Sequence, residues 1–267
     1  MSISVKTFAS SAEAATALSG DRAARFMGGG TLIMRAVNEG DQSFNTIVLA
    51  NDAALKQVQP QGDRLIIGAG VTMAQILASR DLDFLHPVAR AVGGPAIRNM
   101  ATVGGNLFAQ HPYGDMTAAL LVLDCQVTLS GGQSSALADF LRDRDREPRG
   151  LVASVSIVRP QSGVFKFRKA SRVKPKGVSL MTVAAWVPQS GGRISGARIA
   201  YSSMGPMPMR MPAVEQALEG ATLDEAGIAN ALAAATNGIE PPTDAIASSW
   251  YRKEVAPVHL KRALLEG

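Results

Sequence analysis

At 267 residues the chain exceeds a typical single domain, so two domains, or one divided into subdomains, are expected. Apolar residues make up 46% and aromatics only 5%, which implies a core of Ala, Val, Ile and Leu and argues against an aromatic cage for a ligand. The single cysteine, Cys125, excludes an intrachain disulfide and cannot hold an iron–sulfur cluster, which needs about four thiolates.

The chain to about residue 58 reads as a small β-α-β unit. Phe8 opens a short element, Ser10 or Ser11 caps a helix through Leu18, and Arg25-Phe-Met27 and Thr46-Ile-Val-Leu49 are strands. From Arg64 the pattern restarts, with Leu65-Ile-Ile67 as a buried strand and Thr72 capping a helix that begins Met73-Ala-Gln-Ile-Leu77. A helix around Pro87 to Val92 leads into a long glycine-rich loop. Beyond it come a helix from Asp115 to Leu123 and strands at Gln126 to Leu129 and Leu151 to Val158. Pro160-Gln-Ser-Gly163 punctuates the best domain boundary, before a strand at Val164 to Arg168. The last third alternates a strand at Leu180 to Val187, a hairpin through Gln189-Ser-Gly-Gly192, a strand at Ala197 to Ser202 and two helices. One of these is an Ala-rich helix over Leu223 to Asn237. No internal repeat or low-complexity segment is present.

Two glycine-rich loops carry the chemistry. Gly93 to Asp115 holds glycine pairs at 93/94 and 104/105, where ligand and bare backbone can approach each other. Thr102, Asn106 and Asp115 add a hydroxyl, an amide and a carboxylate for sugar and phosphate edges. Gly28-Gly-Gly-Thr31 offers amides that can converge on a pyrophosphate at the start of a helix, and it is not a P-loop because no Gly-Lys-Ser/Thr follows. Ile66-Ile-Gly-Ala-Gly-Val-Thr-Met73 begins like a dinucleotide fingerprint. It lacks the third glycine and the ribose-binding acid, so a Rossmann site is rejected.

These loops, in this order and separation, resemble the flavin-binding medium subunit of the molybdenum hydroxylases, the family of xanthine dehydrogenase and carbon monoxide dehydrogenase. The likeness runs nearly end to end. It includes Ile97-Arg-Asn followed by Thr-Val-Gly-Gly-Asn, the Asp115 that closes the second loop, and the C-terminal Tyr251-Arg-Lys and Lys261-Arg-Ala-Leu. The resemblance implies an α+β fold. A two-subdomain FAD-binding domain of the vanillyl-alcohol-oxidase/p-cresol-methylhydroxylase type would span 1–162, divided at about 58/59. A C-terminal domain with a small antiparallel sheet and helices would follow over 163–267.

The resemblance also implies extended FAD held by Gly28, Gly29, Gly30, Thr31, Leu32, Thr102, Gly104, Gly105, Asn106, His111, Asp115 and Lys166. Leu32 departs from the family's polar residue at that place, so binding there leans on the amides of Gly29, Gly30 and Thr31. Asp115 accepts from a sugar hydroxyl, caps the following helix, or does both. His111 replaces a frequent Ser and either touches the flavin or satisfies a buried turn. Lys166 matches a lysine placed near the flavin ring, where a cation stabilises the reduced anion; an ordinary surface lysine is the other reading. By the family's pattern a large partner subunit carries molybdopterin, a small partner carries two [2Fe–2S] clusters, and the assembly is a dimer of heterotrimers. The flavin then passes electrons to an external acceptor. A self-contained FAD oxidase or dehydrogenase of the same superfamily is the alternative, although the segment after Gly163 is short for a substrate domain.

Net charge is +5, with Lys166, Arg168, Lys169, Arg172, Lys174 and Lys176 close together. The basic run reads as a solvated loop or as a lip that steers a small acidic redox carrier. Nucleic acid is not expected, because no helix-turn-helix, zinc spacing or aromatic-interleaved strand accompanies it. Three histidines without ligand-like spacing argue against a metal enzyme. Cys125 reads as a small buried hydrophobe, and Met204-Gly-Pro-Met-Pro-Met-Arg-Met211 as a packing loop. No apolar run reaches the roughly 18 residues that span a bilayer, and Met1-Ser-Ile-Ser-Val-Lys lacks a secretory plan, so a cytoplasmic protein is expected.

Overall fold

A computed structural model describes residues 3–146, 150–173 and 177–266. Lys174, Pro175 and Lys176, at the centre of the basic run, lie outside the described residues. In chain order the elements begin β1 (Ser4–Phe8), α1 (Ser11–Ser19), β2 (Ala24–Phe26), α2 (Ile33–Asn38), β3 (Thr46–Ala50), β4 (Val58–Gln61), β5 (Arg64–Gly68) and α3 (Met73–Ala78). Next come α4 (His86–Ala91), α5 (Pro95–Met100), α6 (Val103–Leu107), α7 (Asp115–Val122), β6 (Gln126–Leu129), β7 (Ser134–Ala136), α8 (Leu137–Asp143) and β8 (Val152–Val158). The remainder is β9 (Phe165–Ala170), β10 (Met181–Trp186), β11 (Gln189–Ser190), β12 (Arg193–Ile194), β13 (Arg198–Ser202), β14 (Met209–Arg210), α9 (Pro212–Leu218), α10 (Ala229–Ala233) and α11 (Ser249–Glu266). The class is α+β, as expected. No helix among the described residues is long and apolar enough to cross a membrane.

The chain divides into two compact units. The first comprises Met1–Asp83, Gly94–Ala109 and Asp124–Arg159; the second comprises Phe84–Gly93, Gln110–Leu123 and Pro160–Gly267.

In the first unit, a three-stranded parallel sheet has the order β1-β3-β2. Ser10 caps α1 in a reciprocal box with Glu13, and Ala14 and Leu18 pack with Ala24, Val48 and Leu151. A five-stranded antiparallel sheet has the order β4-β5-β8-β6-β7. The sequence reading put no element at β4, β7 or α8. In β4, Val-Gln-Pro-Gln has one apolar residue and lies at the sheet edge with three exposed positions, so no hydrophobic alternation marks it. The glycine-rich stretch also differs from a plain loop. Pro95 opens α5, and Thr102 Oγ1 accepts from the Gly105 amide at 3.0 Å to cap α6.

The second unit centres on an antiparallel sheet of order β14-β13-β10-β9. All eight residues of α7 are buried, and Arg252, Ala256, Leu260, Ala263 and Leu264 form the inner stripe of α11. Met204 and Met211 lie in the core and Met209 packs against it, so the methionine-proline segment is a packing loop. The Ala-rich helix is much shorter than the span read from sequence: only Ala229–Ala233 is α-helical, between turns. Upstream, the Gly227 amide is taken by Asp224 Oδ1 at 2.8 Å in a local turn rather than by a helical carbonyl. Cys125, in the first unit, is buried, and burial pushes its thiol far above the ordinary range.

Candidate functional site

In the first unit, Gly28 to Leu32 connects β2 to α2. The turn needs the left-handed conformation at Gly30, where φ is +73°. Among the described residues the amides of Gly28, Gly29, Gly30 and Thr31 donate no backbone hydrogen bond, and α2 has no side-chain cap at Leu32. A run of unbonded amides entering a helix is chemically suited to an anionic oxygen.

The second loop lies directly against the first. A Cβ on Gly28 would stand 2.7 Å from Thr102 Oγ1, and one on Gly29 would stand 1.6 Å from the Met100 carbonyl oxygen. The fingerprint-like stretch after β5 supports this arrangement. Met73 donates to Ala101 at 3.0 Å, Val103 to Val71 at 2.9 Å and Gly104 to Ala69 at 2.8 Å. Gly68 itself presses on the Leu55 carbonyl, where a Cβ would come within 2.3 Å of the oxygen. Those glycines therefore serve packing.

Thr102 is thus brought beside Gly28, and Gly104, Gly105 and Asn106 follow it in α6. The Gly104 amide is taken by Ala69, and two further amides are engaged within α6 and its cap: Gly105 bonds Thr102 Oγ1 and Asn106 bonds the Thr102 carbonyl at 3.1 Å. The Asn106 side-chain amide also donates to that carbonyl at 2.8 Å. Gly104 is buried, whereas Gly105 is exposed and a Cβ there would meet only Thr102 Oγ1, at 3.0 Å.

His111, Asp115 and Lys166 belong to the second unit. Gly114, at φ +119°, is the N-cap of α7, so the capping role considered for Asp115 falls to the glycine backbone and Asp115 becomes the first helical residue. Its side chain is 7% exposed. One oxygen accepts from Lys169 Nζ at 2.7 Å and the other from the Thr182 hydroxyl, which in turn meets Ser179 Oγ at 2.8 Å. Strand alternation along β9 places Phe165, Phe167 and Lys169 on one face and Lys166 and Arg168 on the other. Burial holds the Lys166 ammonium below the ordinary lysine range.

His111 Nε2 lies 2.6 Å from Asp244 Oδ2, in a segment whose His111-Pro112 peptide is cis. Arg252, fully buried, holds both Asp244 oxygens at 3.1 and 2.9 Å and donates to the Leu180 and Ser203 carbonyls. Desolvation works against ionisation of Asp244. Hydrogen bonds from His111, the Ala247 and Ile246 amides and Arg252 outweigh it and hold the carboxyl well below its usual range.

Sequence reasoning missed Lys169, Thr182, Asp244 and Arg252. A partial signal existed for Lys169, since it falls in phase with Phe165 and Phe167, one residue past the strand expected at Val164 to Arg168. Arg252 was visible inside Tyr251-Arg-Lys but carried no assigned role.

The geometry defines an α+β chain with a run of unbonded amides between β2 and α2. Residues 2–160 match the family described as the FAD binding domain in molybdopterin dehydrogenase, and residues 166–267 match the CO dehydrogenase flavoprotein C-terminal domain. The chain belongs to this family of FAD-binding subunits of the molybdenum hydroxylases, and so to the oxidoreductases. It is 28% identical over 188 residues to the glyceraldehyde dehydrogenase medium chain of Sulfolobus acidocaldarius, a match covering 68% of this chain and 66% of that one. It is 27% identical over 218 residues to the carbon monoxide dehydrogenase medium chain of Afipia carboxidovorans, covering 78% and 75%. A solved carbon monoxide dehydrogenase from Hydrogenophaga pseudoflava, lacking the Mo-pyranopterin moiety of its cofactor, shares the fold. The TM-score is 0.91 at 22% identity, over 99% of this chain and 96% of the other.

Proposed function

We propose that this chain is the FAD-carrying electron-transfer subunit of a heterotrimeric, cytoplasmic molybdenum hydroxylase. A large partner would hold molybdopterin and oxidise the substrate, and a small partner would hold [2Fe–2S] clusters. Two heterotrimers would pair. Bound FAD supplies the chain with a centre that accepts electrons from those clusters and yields them to an external acceptor. Apart from Lys169, which is committed to Asp115, the basic segment that runs on from Lys166 through Arg172 suits a small acidic redox carrier as that acceptor.

The observation that carries this reading is the unbonded amide run of Gly28–Thr31 set against the Thr102–Asn106 loop, in a chain whose two halves match flavoprotein families. Those amides would receive the pyrophosphate, with Leu32 adding only backbone. Thr102, the bare edges of Gly104 and Gly105, and Asn106 would border the nucleotide, Asp115 would accept a sugar hydroxyl, and His111 and Lys166 would border the flavin. The FAD-binding domain would run over 1–162, with subdomains about 1–58 and 59–162, and the C-terminal domain over 163–267.

The test is to load the purified full-length chain with FAD and offer it electrons from two sources. The expected result is stoichiometric FAD that bleaches with a reduced [2Fe–2S] protein and stays oxidised with aldehydes or N-heterocycles alone. Bleaching by an organic substrate without any partner would identify a self-contained flavoenzyme, and failure to retain FAD would overturn the reading.

A further inference from the structure

Asp115 is held by groups that no motif in the chain singles out. Lys169, on β9, directs its ammonium to one carboxylate oxygen at 2.7 Å and to the Ala91 carbonyl at 2.9 Å. Thr182, on β10, donates to the other oxygen and meets Ser179. The lysine side chain is 12% exposed and the aspartate side chain 7%. Charges and helix ends agree here: the carboxylate is in the first turn of α7, and the ammonium is at the last carbonyl of α4.

A fold anchor alone does not call for this arrangement. The seven residues that follow Asp115 in α7 are also buried and supply the helix with its packing. The turn before it is already fixed by Gly114, where a Cβ would meet Pro208 Cγ at 2.7 Å. A buried ion pair is costly to desolvate, and apolar replacement of both partners is often neutral or better for stability. What the pair does supply is a carboxylate fixed in direction. An ionised carboxylate has about four acceptor sites; Thr182 and Lys169 take one on each oxygen, and the others can serve a ligand.

We propose that Lys169, with Thr182, is a positioning residue that holds the Asp115 carboxylate as an acceptor for a hydroxyl of the flavin nucleotide. This rests on the FAD reading above. Lys169 acts through Asp115 and does not itself touch the nucleotide.

The test uses the full-length chain, with FAD affinity read from flavin fluorescence and folding read from melting of the FAD-free protein. Lys169→Met is expected to weaken FAD binding roughly 10- to 100-fold, the range for loosening the support of a ligating carboxylate. Asp115→Asn should weaken it at least as much, the double variant no further than Asp115→Asn alone, and Lys169→Arg should restore much of the affinity. If Lys169→Met does not fold, Thr182→Val, acting on the other oxygen, is read against Asp115→Asn in the same way. Wild-type affinity in the variant read, or losses that multiply in the double variant, would overturn the proposal. So would tight FAD binding by Asp115→Asn, which leaves the FAD reading intact. Failure of the wild-type chain itself to bind FAD would instead overturn that reading, and the proposal with it.

Discussion

Gly29 and Met100 are in backbone contact so close that a Cβ on the glycine would stand 1.6 Å from the methionine carbonyl oxygen. The glycine is required by the meeting of two loops before any ligand is considered. Gly105 is different, being exposed with a single neighbour for an added Cβ. The two positions therefore separate folding from binding. Gly29→Ala should destabilise the chain by about 1–3 kcal/mol or more, as overpacking does, with or without FAD. Gly105→Val should leave melting nearly unchanged and abolish FAD retention. Circular dichroism and flavin absorbance on both variants distinguish these outcomes.

Asp244, whose side chain is 24% exposed, pairs with Arg252, whose side chain is fully inaccessible. Asp244→Ala leaves that guanidinium without its counter-charge and should cost about 3–5 kcal/mol in urea unfolding. Adding Arg252→Met should recover a large part of the loss. The pH sign follows from the direction of the shift. The folded carboxyl lies below its unfolded value of about 3.9, so its contribution is complete above that pH and is lost as pH falls through the folded value.

The Tyr201 hydroxyl is buried, has no hydrogen-bond partner among the described residues, and its phenol is pushed up by burial. Tyr201→Phe removes an unsatisfied polar atom while keeping the ring. The expected result is unchanged or raised stability, by up to about 1 kcal/mol, read from thermal melting. A clear loss would mean the hydroxyl is satisfied in solution.

Burial, with Arg262 and Arg168 nearby, holds His259 below its usual range. The unfolded chain then binds a proton that the folded chain resists, so stability rises with pH through the unfolded value of about 6.5 and falls below it. The wild-type melting temperature should climb from about pH 5.5 to about pH 7.5, and His259→Gln should flatten that climb.

Local signals were legible in the sequence, and distant pairings were not. Ser10 and Thr72 were readable as caps because each acts on an amide three residues away. The glycine loops were readable because spacing alone marks them. The edge strand β4 was not, since its exposed polar residues follow no hydrophobic period. The Ala-rich α10 was overextended because alanine composition signals helix without showing where turns interrupt it. Lys169 with Asp115, and Asp244 with His111, join residues far apart in the chain, so no local pattern could reveal either partner.

The central claim is tested most directly by purifying this chain from its native host under mild conditions and measuring FAD content and accompanying chains. The account predicts one FAD per chain and two partners in equal amounts, the larger with molybdopterin and the smaller with [2Fe–2S] clusters. A lone flavin-bearing chain, or a chain without flavin, would contradict it.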